Sequence, residues 1–122
     1  MQHERMPVYL LALEFFEGVH VLTATMPRQW RHLFDQLQRA SLSILLNVAE
    51  GAGEFAPAEK ARFYRMAQRS AIECRSALDA AERLNLVPPP HAGLHNMAGE
   101  IYAQLVGLAR SLENRPPNRR AR

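Results

Sequence analysis

Leu94, Ala98, Ile101, Leu105, Leu108 and Leu112 recur at intervals of four, three, four, three and four residues. Apolar groups at that spacing share one stripe of an α-helix, whereas a strand would need a period of two. A stripe this regular has to be buried against other helices, as the seam of a bundle or coiled coil. Three further segments carry a helical period. Val8, Leu11, Phe15, Val19 and Leu22 mark a helix from about Val8 to Ala24. A second spans about Arg28 to Glu50; Pro27 suits its start, and Gly51 and Gly53 read as its C-terminal cap. The third runs from about Pro57 to Leu86, with Phe63, Met66, Ser70, Cys74, Ala77 and Ala81 as its inner face. Pro88-Pro89-Pro90 stops that helix, and the fourth follows from about Ala92 to Leu112. Long helices joined by short connectors pack mostly antiparallel. The expected fold class is all-α, an antiparallel up-and-down four-helix bundle formed by residues 1–114.

A chain of 122 residues, 48% of them hydrophobic, is one domain's worth and can bury roughly two-thirds of its unfolded surface without staples. Its single cysteine, Cys74, cannot form an intramolecular disulfide and fits a reducing compartment. The most apolar N-terminal run, Val8 to Leu13, is interrupted by Glu14 and Glu17, too short for a signal peptide or a membrane span. A cytoplasmic protein without membrane contact is expected. The net charge of +3 sits at one end: Arg115, Arg119, Arg120 and Arg122 lie in the last eight residues, and without them 11 basic residues face 12 acidic ones. Residues 115–122, with Pro116 and Pro117 blocking helix, are expected to form a disordered arginine-rich tail that solubilises the chain or finds phosphates.

The second helix constrains function most. Gln36, Arg39, Ser43, Asn47 and Glu50 are spaced three, four, four and three, which places them in one narrow polar stripe. The rest of that helix is apolar or small. Leu37, Ala40, Ile44 and Val48 can face the bundle core, which leaves Leu42, Leu46 and Ala49 on the far side. An exposed apolar patch is unusual for a monomer, and the simplest remedy is a second interface with another copy of the chain. The polar stripe reads as hydrogen bonding across helices that fixes register, or as a site with Arg39 and Glu50 as its charged members; glutamine, serine and asparagine supply no strong nucleophile or base. On the third helix Arg62, Arg65 and Arg69 share one face with Glu73. Such a row is a solvated face, pairs with Glu50, Glu59 and Glu73, or meets phosphates.

At these residues the sequence resembles the small four-helix bundle proteins encoded in intervening sequences of bacterial large-subunit ribosomal RNA genes. The accessory variability determinant of diversity-generating retroelements is related to them. The family signature is answered by Gln36, Leu37, Arg39, Ala40, Ser43, Ile44, Asn47, Ala49, Glu50 and Gly51, and a second element by Ala67, Ser70 and Glu73. Glu54 stands near a position that is usually basic, and Arg69 where the family usually has glycine. The resemblance covers about Leu10 to Leu112. It implies a ring-like homopentamer and, through the retroelement relatives, binding of RNA, DNA or a protein partner such as a reverse transcriptase.

Residue types that would carry catalysis are scattered. Gly51-Ala52-Gly53 is no phosphate loop, and Ser43, Ser70 and Cys74 lack a local base with an orienting partner. His91 and His95 are one turn apart but lack a third metal ligand nearby. No catalytic residue, metal or cofactor is expected. The sequence favours a non-enzymatic, homo-oligomeric binding module that meets structured nucleic acid, or a nucleic-acid enzyme, through a basic surface. The alternative is a protein-interaction scaffold that never touches nucleic acid.

Overall fold

A computed structural model describes residues 1–114. Four helices, α1 (Pro7–Thr23), α2 (Arg31–Gly53), α3 (Pro57–Arg83) and α4 (Leu94–Glu113), are joined by short connections, with single 3-10 turns at Gln2–Arg5, Arg28–Trp30 and Pro89–His91. There is no strand among the described residues. Each helix packs on the next and α4 returns to α1, so α1 faces α3 and α2 faces α4 across the diagonals. The α2–α3 and α3–α4 pairings are the most extensive and the α1–α4 pairing the sparsest. This is the four-helix bundle expected from the periodicity. No helix among the described residues is long and apolar enough to cross a membrane.

The core is one continuous cluster. Phe15 and Leu22 of α1, Phe34, Leu37 and Ile44 of α2, Leu78 of α3, and Ile101 and Leu105 of α4 are its largest fully buried side chains. Truncating either phenylalanine to alanine would cost about 3–5 kcal/mol through lost transfer energy and the cavity left behind. Leu37, Ala40, Ile44 and Val48 all face inward, as the pattern of α2 requires.

The structure revises four local expectations. The inner face of α3 keeps the expected Ser70, Cys74 and Ala81 but is completed by Tyr64, Ala67, Ala71 and Leu78, while Met66 is 38% exposed and Phe63 and Ala77 are half-buried. On α4 the buried stripe drifts from Leu105 to Ala109, leaving Leu108 and Leu112 at its edge, because a straight 3.6-residue helix does not hold a 3.5-residue repeat. Arg28 begins a 3-10 turn, and α2 itself starts at Arg31. Finally, Gly51 and Gly53 are not a left-handed cap. The helix runs through both, no glycine has a positive φ, and Glu54 ends it in extended conformation. Gly51 serves close approach instead, since a Cβ there would lie 2.7 Å from Cε1 of Tyr64. The left-handed residue is Asn85, with φ 58°, at the end of α3. The Asn85 amide donates to the Glu82 carbonyl at 2.9 Å and the Leu86 amide to the Ala81 carbonyl at 2.8 Å, the two bonds of a Schellman closure.

Candidate functional site: the outer surface of α2 and α3

The two sequence stretches that carry the family resemblance meet on the α2–α3 pairing. The Ser70 hydroxyl donates to Ser43 Oγ at 2.9 Å. Asn47 Nδ2, one turn further along α2, donates to the Ser43 carbonyl at 2.9 Å and to Ser43 Oγ at 3.1 Å. Ser70 is buried, and Ser43 and Asn47 are half-buried. A polar cluster at a helix–helix contact is stable only in the register that pairs its members, so these three residues fix how α2 sits on α3. The other members of the stripe, Gln36, Arg39 and Glu50, are exposed. Arg39 has no carboxylate within ion-pair distance among the described residues, so no buried charge partner depends on it within the chain.

The end of α2 is closed by α3. Lys60 donates its ammonium to the carbonyls of Gly51 at 3.3 Å and Ala52 at 2.9 Å, satisfying acceptors that the helix terminus leaves unpaired and complementing its partial negative charge.

Leu42 and Leu46 are 42% and 57% exposed, and Ala49 is half-buried beside them. Together they continue along the outside of a helix whose inner face is already fully occupied. α1 has the same character. It buries five side chains yet leaves Leu10, Leu13 and Val21 on its outer side. Both helices are thus apolar on more than their core face.

The arginine row is only partly available. Arg62 forms an ion pair with Glu59 at 3.1 Å, and its guanidinium lies over the Phe63 ring at 4.6 Å from the centroid. Arg65 reaches across to Glu113 on α4 and donates to Gln68 at 3.3 Å, and the Gln68 amide in turn donates to the Leu105 carbonyl at 3.3 Å. Arg69 is exposed and has no such partner among the described residues. The Arg65–Glu113 pair joins residues 48 apart in sequence and could not be read from local spacing. Arg115, Arg119, Arg120 and Arg122 lie outside the described residues.

Groups that could do chemistry are placed otherwise. Cys74 is fully buried, and its thiol is pushed up to about 12 by burial, with Glu73 adding in the same direction. At neutral pH it is a protonated core residue rather than a nucleophile. Burial likewise raises the Tyr64 phenol. His95 Nε2 lies 2.7 Å from Asp79, while Arg75 approaches Nδ1 at 3.5 Å. That cluster ties α3 to α4, and sequence spacing alone did not reveal it. No group of three or more His, Cys, Asp or Glu side chains could hold a metal ion among the described residues.

Comparison of the sequence with curated proteins found no match. A family model described as 23S rRNA-intervening sequence protein matches residues 4–107, a span that takes in α1, α2, α3, the Ser43–Ser70 contact and most of α4. The chain belongs to the 23S rRNA-intervening sequence protein family.

Proposed function

We propose that the protein is a non-enzymatic, cytoplasmic binding module that works as a homo-oligomer and presents arginines to structured nucleic acid or to an enzyme acting on it. The observation that carries self-association is the outer face of α2, where Leu42 and Leu46 stand exposed on a helix whose core face is complete. Covering that face with another copy removes an apolar strip from water without disturbing the bundle. The homopentamer implied by the family resemblance is the assembly we favour. It would bring five copies of Arg62, Arg65, Arg69 and the terminal arginines onto one particle, and avidity would multiply a modest basic patch for any ligand that spans several copies. The family's description, a protein of 23S rRNA intervening sequences, supports a nucleic-acid setting. A scaffold that binds only protein is the second reading, favoured by the neutralisation of Arg62 by Glu59 and of Arg65 by Glu113.

Light scattering after size exclusion tests the assembly. The expected mass is a multiple of the 13.8 kDa chain, and Leu42→Glu with Leu46→Glu should reduce it to the monomer. A wild-type mass of 13.8 kDa at micromolar concentration would end the oligomer reading. Gel shifts with structured RNA and duplex DNA at two salt concentrations test the ligand. Retention should fall steeply with salt through counterion release and weaken when Arg62, Arg65 and Arg69 become glutamine. An intact oligomer that retains neither nucleic acid even at low salt leaves the scaffold reading in place.

A further inference from the structure

Two surfaces on different sides of the bundle match one another in polarity, charge and height. One is the outside of α2, with Leu42 and Leu46 exposed and the unpaired Arg39 above them. The other is the sparse seam between α1 and α4. An open groove of about 810 Å³ is lined there by Leu10, Leu11, Glu14, Glu17, Glu100 and Gln104. A second, of about 370 Å³ and lined by Met6, Val8, Gly107 and Leu108, continues it toward the start of α1. Glu14, Glu17 and Glu100 have no cation within ion-pair distance among the described residues. The seam is therefore an apolar trough below unpaired carboxylates, and the α2 face is an apolar ridge below an unpaired guanidinium.

Three cross-helix contacts set the heights: Ser43 with Ser70, Gln68 with the Leu105 carbonyl, and Gly18 with Leu94, whose Cδ2 lies 2.7 Å from where a Gly18 Cβ would be. With a rise of about 1.5 Å per residue, Arg39 stands about 6 Å above the Ser43–Ser70 bond, between Glu100 at about 4.5 Å and Glu14 at about 7.5 Å. On the same scale Leu42 and Leu10 both lie about 1.5 Å above that bond, while Leu46 and Met6 lie about 4.5 Å below it and Gly107 about 6 Å below. Complementary features at similar heights can be brought together by rotating a copy about an axis parallel to the bundle. An interface that joins two different patches in this way is heterologous, and it generates a ring when the repeated rotation returns to the first copy.

We propose that the α1–α4 seam is the receptor for the α2 face of the next copy, with Leu42 and Leu46 seated along the trough and Arg39 set between Glu14 and Glu100 of the neighbour. This rests on the self-association reading and adds the second half of the interface to it. The guanidinium is suited to the role because it bonds two carboxylates through separate N–H groups, and the flanking leucines keep water from screening the pair. Arg39 thus gains in the neighbour the carboxylates it lacks in its own chain.

Charge reversal tests the pairing. Arg39→Glu, and separately Glu14→Arg with Glu100→Arg, should each raise the dissociation concentration by roughly tenfold to a hundredfold, the scale of a close interfacial charge pair. The triple variant should recover much of the loss. Sedimentation velocity reads the assembly, and far-ultraviolet circular dichroism checks that the bundle is intact, which exposed positions favour. Loss in both reversed forms with recovery in the triple variant supports the pairing. An oligomer indifferent to all three variants overturns it and leaves self-association standing, whereas a monomeric wild type overturns both. If removing residues 115–122 abolished assembly while Arg39→Glu left it intact, the acidic seam would be taken by the terminal arginines and the pairing would fall.

Discussion

Replacing Gly51 with alanine sets two effects of known sign against each other. Gly51 is helical, with no positive φ to protect, so alanine should gain about 1 kcal/mol in helix propensity. Against this, the new methyl group would lie 2.7 Å from Cε1 and 2.9 Å from Cδ1 of Tyr64, and 3.2 Å from Cβ of Phe63. Ordinary carbon contacts are about 3.5–4.0 Å, so the ring must retreat by close to 1 Å. Tyr64 is only 4% exposed and Phe63 lies under the Arg62 guanidinium, so neither ring swings away into open water. Any shift at Gly51 or Ala52 also disturbs the carbonyls that Lys60 holds. Overpacking of this kind costs about 1–3 kcal/mol and outweighs the propensity gain.

The expected net effect of Gly51→Ala is a loss of about 1 kcal/mol and a fall in Tm of roughly 3–6 °C, read by thermal and urea unfolding followed at 222 nm. Gly53→Ala is the control. It lies two residues on with nothing within 4 Å, and it should be neutral or stabilising by up to about 1 kcal/mol. In a Tyr64→Leu background the penalty at Gly51 should shrink. A Gly51→Ala protein as stable as Gly53→Ala would refute the packing account. A marked loss from Gly53→Ala would show that the turn needs glycine after all.

Asn85, with φ 58°, should tolerate glycine within a few tenths of a kcal/mol, while Asn85→Ala should lose about 1 kcal/mol in a thermal melt; equal stability of the two would contradict the left-handed cap. The buried Cys74 thiol predicts alkaline instability. Above pH 9 the unfolded thiol releases its proton while the folded one keeps it to about 12, so the unfolded state binds fewer protons and stability drops with rising pH across that window. The slope from this group is at most about 1.4 kcal/mol per pH unit, so urea midpoints between pH 8 and 10.5 should fall more steeply for wild type than for Cys74→Ala. Parallel slopes would show that the thiol is not the source.

The bundle was legible where large aliphatic side chains keep a helical period. α4 shows this through Leu94, Ala98, Ile101 and Leu105, and α2 through Leu37, Ala40, Ile44 and Val48, all of them buried. It was ambiguous where the buried residues are small or amphipathic. On α3 Leu78 is the one large aliphatic side chain fully buried among the described residues; the rest of its core is Ala67, Ala71, Cys74 and Ala81 with the Tyr64 ring, and alanine carries too little hydrophobic contrast to orient a helix against Phe63 and Met66. Gly51 was misassigned because a glycine near a helix end signals a cap more often than a tight contact, and the ring it accommodates lies on another helix. The α1–α4 seam was not anticipated for a related reason. α1 is apolar on nearly every side, so periodicity does not say which side its own chain will leave uncovered.

That ambiguity recurs in α2, where the polar stripe resolves it. Leu42 and Leu46 are as apolar as Leu37 and Ile44, so hydrophobicity alone would allow the helix to present either side to the core. Turning it over would place Arg39 in the interior without a carboxylate, and removing a charge from water without a partner costs several kcal/mol. It would also break the Ser70–Ser43 bond and expose the Phe34 ring, which is 1% exposed as the chain folds. All three penalties point the same way, so Arg39 faces outward and Leu42 and Leu46 go with it, being close to it on the helical wheel. The stripe that fixes register on α3 therefore also determines which apolar strip is left on the outside of the bundle. Within the proposed ring the residue that steers the helix outward is the one that finds carboxylates in the neighbour, so a single arginine would act first in folding and then in assembly.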